Sequence, residues 1–105
     1  MNFVVNWSLK SKADYFEIID YLIDNWGRNS AKKFKETLMK SLNLISIMPY
    51  IYTETEFREN VRRCIVVKQV SMYYKVIEDK NEILIIRFFD NRRNPDVIEE
   101  ELDNE

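Results

Sequence analysis

The residues best suited to bind a charged group lie in and just after the last apolar segment of the chain. Residues 83–89 read Ile-Leu-Ile-Ile-Arg-Phe-Phe, and residues 90–95 continue as Asp-Asn-Arg-Arg-Asn-Pro. The first stretch is typical of a buried strand, and the second of a basic, amide-rich turn closed by proline. A strand that delivers several guanidinium groups to one sheet edge predicts a site for an anion or a partner protein.

Five arginines are the candidate target-binding residues, and two of them lie on an earlier segment, Val-Arg-Arg at residues 61–63. Because strand side chains alternate between faces, Arg62 and Arg63 must point to opposite sides of a sheet. One of them can join Arg87, and the other is then solvated or paired with an acid such as Glu59. The candidates are Arg62, Arg63, Arg87, Arg92 and Arg93, and the predicted turn-forming residues are Asn91, Asn94 and Pro95.

The same arginines also have a structural interpretation. Strict alternation places Arg87 on the face of Ile83, Ile85 and Phe89, where it could form an internal salt bridge near the sheet edge. The two arginines of the turn could simply be solvated. The sequence alone leaves both interpretations open, a binding site and a structural ion pair.

The composition offers few candidate residues for acid–base catalysis or for metal binding. The chain contains no histidine, the side chain whose ordinary pKa lies nearest neutrality. Its one cysteine, Cys64, lies in an apolar segment and is predicted to be a small buried hydrophobe. Asp14, Asp20 and Asp24 do not form a metal cluster. We therefore expect no metal, no cofactor and no disulfide, and we assign no catalytic residue.

Length and charge predict one domain over residues 1–105 with an acidic C-terminal tail at residues 96–105. All 16 Lys and Arg residues precede residue 96, whereas six of the 18 acidic residues follow Pro95. The body is thus net positive although the whole chain has a formal charge of -2, and an anionic target is not excluded. No apolar run reaches the roughly 20 residues that span a bilayer, so we expect a cytoplasmic protein without membrane contact.

The remaining segments predict a helical hairpin followed by strands. After a first strand at residues 3–7, Ser8 caps a helix that Gly27 ends, and Asn29 or Ser30 caps a second helix that Pro49 ends. Further strands are predicted at 61–68, 70–78 and 83–89, and a short helical turn at 96–102. This order predicts an α+β fold in which an antiparallel helical hairpin packs on a mostly antiparallel sheet of about four strands.

Apolar residues recur at three-to-four spacing on both predicted helices, and we expect these stripes to face the core. On the first helix the stripe consists of Ala13, Phe16, Ile19, Ile23 and Trp26, and on the second of Ala31, Phe34, Leu38, Leu42, Ile45 and Met48. Further apolar residues lie outside the narrowest stripes, namely Tyr15, Leu22, Leu44 and Ile47. They predict an interface in addition to the core.

Across most of its length the chain resembles the RelE/ParE superfamily of type II toxin–antitoxin toxins. No single motif is specific, but their order is. The matching motifs are Trp7-Ser8, Ala13-Asp14-Tyr15, Trp26-Gly27, Ala31 with Phe34, Pro49, Val61-Arg62-Arg63, the tyrosine-rich stretch 72–76 and the strand and turn at 83–95. The resemblance implies a growth-inhibiting toxin, often a plasmid-stabilisation factor, that a cognate antitoxin neutralises.

The resemblance leaves two targets open. RelE-like members are similar to ribosome-dependent nucleases that cut mRNA, and ParE-like members to inhibitors of DNA gyrase. RelE-like nucleases place an arginine shortly before the tyrosine of the tyrosine-rich strand, but here Val70-Ser71-Met72 precedes Tyr73-Tyr74. The C-terminal tyrosine or histidine of the nucleases is also missing. We therefore favour a ParE-like gyrase inhibitor.

Two alternatives remain. One is a metal-independent, ribosome-dependent endoribonuclease, in which the aromatic residues Tyr50, Tyr52, Phe57, Tyr73 and Tyr74 could stack on bases beside the arginines. The other is a non-toxic member of the superfamily. In each case the resemblance implies a complex with an antitoxin, which can be a heterotetramer.

Overall fold

The computed structural model describes residues 2–56 and 58–91. The predictions for Phe57, Arg92, Arg93, Asn94, Pro95, the helical turn at 96–102 and the acidic tail lie outside the described residues. The elements are β1 (Val4–Trp7), α1 (Leu9–Trp26), α2 (Arg28–Ile47), β2 (Val61–Val67), β3 (Val70–Ile77), a 3₁₀ turn (Glu78–Lys80) and β4 (Glu82–Asp90).

A single glycine separates the two helices. Ser8 caps α1, since its Oγ accepts a hydrogen bond of 3.0 Å from the Ser11 backbone N–H. Gly27, with φ of 91°, ends α1 through a 3.1 Å bond from its N–H to the Ile23 carbonyl and also caps α2. This backbone conformation is readily available only to glycine. Consequently α2 begins at Arg28, earlier than the capping residues predicted from the sequence.

The four strands form one mixed sheet in the order β1-β4-β3-β2. The β1 strand lies at an edge and pairs parallel to β4, whereas β4–β3 and β3–β2 pair antiparallel. These pairings confirm the predicted α+β architecture with a mostly antiparallel sheet. None of the described helices is long and apolar enough to cross a membrane.

The β3–β4 register changes in the middle of the sheet, at a bulge. Tyr73 pairs with Arg87 but Tyr74 pairs with Ile85, so Ile86 is the extra residue of β4. Beyond the bulge, the alternation of β4 side chains between the two faces is shifted by one residue. Arg87 therefore shares a face with Phe89 but not with Ile85. Strict alternation predicted that all three lie on one face, which was right for Phe89 and wrong for Ile85.

The main core lies between the helices and one face of the sheet. Its buried members come from α2 and the strands, including Phe34, Leu38, Leu42, Ile45, Cys64, Met72, Tyr74, Ile83, Ile85 and Phe88. A smaller cluster of Val61, Tyr73, Ile86 and Phe89 is buried on the other face, called the far face below. The structure confirms the core stripe of α2 from Ala31 to Ile45, whereas Met48 lies half exposed beyond the helix.

The core face of α1 differs from the predicted stripe. Ser11 is fully buried and Tyr15, Ile18, Ile19 and Leu22 pack against the main core. Of the predicted stripe, Ile19 thus faces the core, whereas Phe16, Ile23 and Trp26 are 62%, 38% and 72% exposed. The sequence carries apolar residues on two sides of this helix, so periodicity alone did not decide which side faces the sheet. Ser11 occupies a core position because its hydroxyl donates a 2.8 Å bond to the Ser8 carbonyl.

Candidate functional site

Arg87 is held in an internal ion pair with Asp14 of α1. Its Nε donates to Asp14 Oδ2 at 2.7 Å and its Nη2 donates to Asp14 Oδ1 at 3.1 Å. The Phe88 backbone N–H also donates to Asp14 Oδ2, at 3.0 Å. The two side chains are 15% and 12% exposed. Of the two interpretations of Arg87, the structure therefore shows the internal salt bridge.

The location of this pair follows from the lengths of the strands. The β1 strand covers β4 only as far as the pairing of Trp7 with Ile85. Beyond that point the chain turns into α1, with Ser8 donating from its N–H to the Ile85 carbonyl and from its hydroxyl to the Ile86 carbonyl. The Asp14 carboxylate therefore takes the place of a strand partner for the Phe88 N–H and neutralises the adjacent guanidinium.

Arg62 holds the connection between α2 and β2. Its Nη1 donates to the Tyr52 carbonyl at 2.6 Å, and its Nη2 lies 3.4 Å from Glu54 Oε1. The guanidinium carbon also lies 5.0 Å from the centre of the Tyr50 ring. The acid that pairs with Arg62 is thus Glu54, whose backbone bridges to Arg62 itself, rather than the expected Glu59.

Arg63 is the arginine that shares the far face with Arg87, and its side-chain environment differs from that of the other two. Its Nε donates to Ser71 Oγ at 2.9 Å, and its Nη2 donates to Asn91 Oδ1 at 3.2 Å. Both acceptors are neutral oxygens, so these contacts orient the guanidinium without cancelling its charge. Arg63 is also exposed. We call Arg63, Ser71 and Asn91 the Arg63 cluster.

Asn91 holds this cluster at the end of the sheet. Its Nδ2 donates to the Lys68 carbonyl at 2.9 Å, and its backbone N–H donates to the Gln69 carbonyl at 2.8 Å. The Ser71 hydroxyl is hydrogen-bonded to Asn91 Oδ1 as well. The turn between β2 and β3 and the end of β4 are therefore fixed together, and the chain leaves β4 beside Arg63. Sequence reasoning named Arg63 and Asn91 but missed Ser71, which lacked any motif of its own.

The two central tyrosines are buried on opposite faces of the sheet. Tyr74 donates from its hydroxyl to the Pro49 carbonyl at 2.8 Å, and burial raises the pKa of its phenol. Burial also raises the pKa of Tyr73, while the charge of Arg63 acts in the opposite direction. Tyr73 packs edge to face on Phe89, with ring centroids 5.5 Å apart. Neither phenol is therefore poised to accept a proton near neutrality.

A groove of about 500 Å³ opens on the helical side of the molecule. It is lined by Glu17, Ile18, Tyr21, Leu22, Trp26, Ser30, Val67, Gln69, Val70 and Asp90. The Tyr21 and Trp26 side chains are 51% and 72% exposed. An open groove of this size with aromatic walls is suited to an apolar side or segment of a partner protein. Of the four residues outside the predicted stripes, only Leu22 lines it.

Several solved structures share this fold at low sequence identity. A chain of the chromosomal ParDE toxin–antitoxin system from P. aeruginosa is 19% identical with a TM-score of 0.70, and the match covers 84% of this chain and 95% of that one. The isolated E. coli RelE toxin is 13% identical with a TM-score of 0.61 over 97% of each chain.

A third structure is a chain of a RelBE toxin–antitoxin complex from Mycobacterium tuberculosis. It is 10% identical with a TM-score of 0.62, and the match covers 87% of this chain and 100% of that one. At these identities the three structures show a common fold. A comparison of the sequence with the curated proteins found no match.

The family comparison covers most of the described chain. The model of the ParE toxin of the type II toxin–antitoxin system, parDE, matches residues 5–95. The matched segment contains both helices, β2, β3, β4, all of β1 except Val4, and the Arg63 cluster. The chain belongs to the ParE family of type II toxin–antitoxin toxins.

Proposed function

We propose that this toxin arrests growth by binding a macromolecular target in the cytoplasm, DNA gyrase, and not by cutting RNA. The observation that supports this proposal is the set of partners that its arginines contact. Arg62 and Arg87 each bind a carboxylate of the same chain, whereas Arg63 is exposed and held by neutral oxygens. The three guanidinium groups serve three different parts of the fold and do not surround one reaction centre.

Cleavage of RNA through its 2′-hydroxyl needs a base, an acid and cations that stabilise the charge on the phosphorus centre. Tyr73 and Tyr74 are buried with raised pKa values, and Arg87 already has an anionic partner. By contrast, a binding surface needs only an oriented, exposed cation. The Arg63 cluster supplies one at the end of the sheet, and we include Arg92 and Arg93 in the proposed target surface because they follow Asn91 directly.

We further propose that a cognate antitoxin binds the helical side of the toxin, in a complex that can be a heterotetramer. The ParDE and RelBE structures of the same fold come from toxin–antitoxin systems. The groove with Tyr21 and Trp26 on its walls offers apolar surface to such a partner. A small neighbouring gene encoding an acidic, partly disordered protein that restores growth on co-expression would support this proposal.

The target is tested by two assays on the same variants. Purified toxin should inhibit supercoiling by gyrase, and Arg63→Ala should weaken inhibition while Lys80→Ala, which removes an exposed lysine at the opposite end of the β3–β4 hairpin, should not. Primer extension on mRNA from cells expressing the toxin should show no new ends. Cleavage near the ribosomal A site that Arg63→Ala or Arg87→Ala abolishes would replace the gyrase proposal by the nuclease alternative.

One observation favours that alternative. Arg63 and Arg87 lie on either side of Tyr73 in register, so the far face carries two arginines across three neighbouring strands. If Asp14 released Arg87 on binding, the two could contact one phosphate backbone. The non-toxic alternative predicts normal growth during controlled expression of the folded chain without its antitoxin.

A further inference from the structure

The groove on the helical side of the molecule is acidic, in contrast to the net positive body of the chain. Of the ten described residues that line it, Glu17 and Asp90 are acids, and none is a lysine or an arginine. The other lining residues are apolar, aromatic or neutral. The sign of this surface therefore disfavours an anionic partner group in the groove and favours a cationic one.

Glu17 is the acid that gives the groove an uncompensated charge. Its residue is exposed, and its carboxylate has neither an ion-pair partner nor a hydrogen bond within the described part of the chain. The residues three and four positions away on α1 include no lysine or arginine, so the helix itself cannot pair with this charge. Asp90 has other contacts, and the inference does not depend on its charge.

Two exposed aromatic rings line the groove together with Glu17. Tyr21 follows Glu17 by four residues, so the two side chains lie one turn apart on the same side of α1. Trp26 is the last residue of the helix. The rings of Tyr50 and Phe89 each lie under an arginine of the same chain, whereas neither Tyr21 nor Trp26 carries a cation or a second ring within the described residues. Both rings are therefore free to form a cation–π contact.

We propose that this groove binds an arginine of the antitoxin that is flanked in that partner by apolar side chains. A planar guanidinium can stack on an aromatic ring while its N–H groups donate to a carboxylate, a combination that the compact ammonium of lysine matches less well. Ile18 and Leu22 supply apolar lining for the flanking side chains. The proposal rests on the proposed binding of an antitoxin to the helical side, and it adds the chemistry by which that partner is recognised.

An unpaired carboxylate in the groove also selects which part of a partner can enter. We expect the antitoxin to be acidic overall, and an Asp or Glu side chain presented to Glu17 would be repelled. Only a segment that carries a cation beside apolar residues matches the groove. The Arg63 cluster on the far face attracts the opposite charge, so the two surfaces discriminate between partner segments by sign.

Titration of the full-length toxin, separated from its antitoxin, with short peptides tests the preference for arginine. The probe is acetyl-Leu-Arg-Leu-amide, and the indole N–H resonance of Trp26 reports its binding by NMR. We expect saturable binding in the millimolar range, and at least about threefold weaker binding when glutamine or glutamate replaces the arginine of the peptide. A higher salt concentration should weaken binding of the arginine peptide but not of the glutamine peptide.

Three variants of the toxin locate the contact. Glu17→Gln should remove most of the difference between the arginine and glutamine peptides. Asp20→Asn is the matched control, because it neutralises an exposed aspartate of the same helix that does not line the groove, and it should retain the difference. Trp26→Ala should weaken binding of the arginine peptide more than of the glutamine peptide, with the backbone N–H of Leu22 as the reporter. Circular dichroism checks that all three variants fold.

Absent or equal binding of the arginine and glutamine peptides would overturn the proposal, as would equal effects of Glu17→Gln and Asp20→Asn. So would stronger peptide binding after Arg92→Gln with Arg93→Gln, because the chain's own arginines would then fill the groove. If the peptides prefer arginine but Glu17→Gln leaves antitoxin binding unchanged, the antitoxin site is wrong and the chemistry of the groove stands. If Glu17→Gln weakens antitoxin binding but the peptides show no preference, the site stands and the arginine is wrong.

Discussion

Two arginines on the far face of the sheet, one on each side of Tyr73, have different kinds of partner. Arg87 forms two hydrogen bonds with the Asp14 carboxylate, and both side chains are largely buried. Arg63 is exposed and donates to Ser71 and Asn91, which carry no charge. Residue type is the same in both cases, so the partner decides the role. A neutralised guanidinium stabilises the fold, and an oriented but uncompensated one can bind a target.

The largest effect is expected from removing the Asp14 carboxylate that pairs with Arg87. Asp14→Ala leaves Arg87 charged without its partner in a poorly hydrated position and removes the acceptor of the Phe88 N–H. We expect the free energy of unfolding to fall by about 3–5 kcal/mol, as for other broken buried ion pairs. Urea denaturation measures it.

Asp20→Ala is the matched control, because it removes an exposed aspartate from the same helix and should cost less than about 0.5 kcal/mol. Equal effects of the two variants would mean that the Asp14–Arg87 pair contributes nothing beyond a surface charge. The double variant Asp14→Leu with Arg87→Met should regain much of the loss, since it leaves no unpaired charge.

The second test concerns the uncompensated arginine. Arg63→Ala should leave stability within about 0.5 kcal/mol of wild type. It should lower target affinity about tenfold or more, the usual cost of one hydrogen bond to a charged group. Binding to purified gyrase and urea denaturation measure the two effects separately. Equal binding by Arg63→Ala and Lys80→Ala would remove the Arg63 cluster from the target surface.

Arg62 falls between these two cases. It bonds the Tyr52 carbonyl and Glu54 and lies against the Tyr50 ring, so its loss frees the connection that precedes β2. We expect Arg62→Ala to cost about 1–2 kcal/mol of stability, since a carbonyl loses its partner in a partly buried place. Faster proteolysis at residues 50–56 should accompany it, and target affinity should not change. A loss of affinity without a loss of stability would assign Arg62 to the binding surface instead.

The sequence predicted the elements of this fold better than the environment of each arginine. Apolar spacing and the single glycine were enough for the order of helices and strands, because these signals are local. The role of Arg87 depended on two features that are not local, the bulge at Ile86 and the end of β1 at Trp7. The two-sided apolar pattern of α1 likewise concealed its core face, which only packing against the sheet selects.

The smallest expected effect concerns the pKa of Tyr73, which lies between the two arginines and is influenced by the charge of one of them. Burial raises its pKa and Arg63 opposes that rise. A phenol whose pKa is raised in the folded state stabilises the protein fully below the ordinary value of about 10, and this contribution is lost as the pH rises further. Stability should therefore fall above about pH 10, and Tyr73→Phe should reduce the fall.

Arg63→Ala removes a charge that lowers the pKa of Tyr73, so the phenol should titrate at a still higher pH in the folded protein. The loss of stability at alkaline pH should then be steeper than in wild type, although stability at neutral pH is nearly unchanged. Tyrosinate absorbance and urea denaturation across this pH range measure the two quantities. If Arg63→Ala left both profiles unchanged, solvent would screen the Arg63 charge at Tyr73, and the two side chains would not be electrostatically coupled.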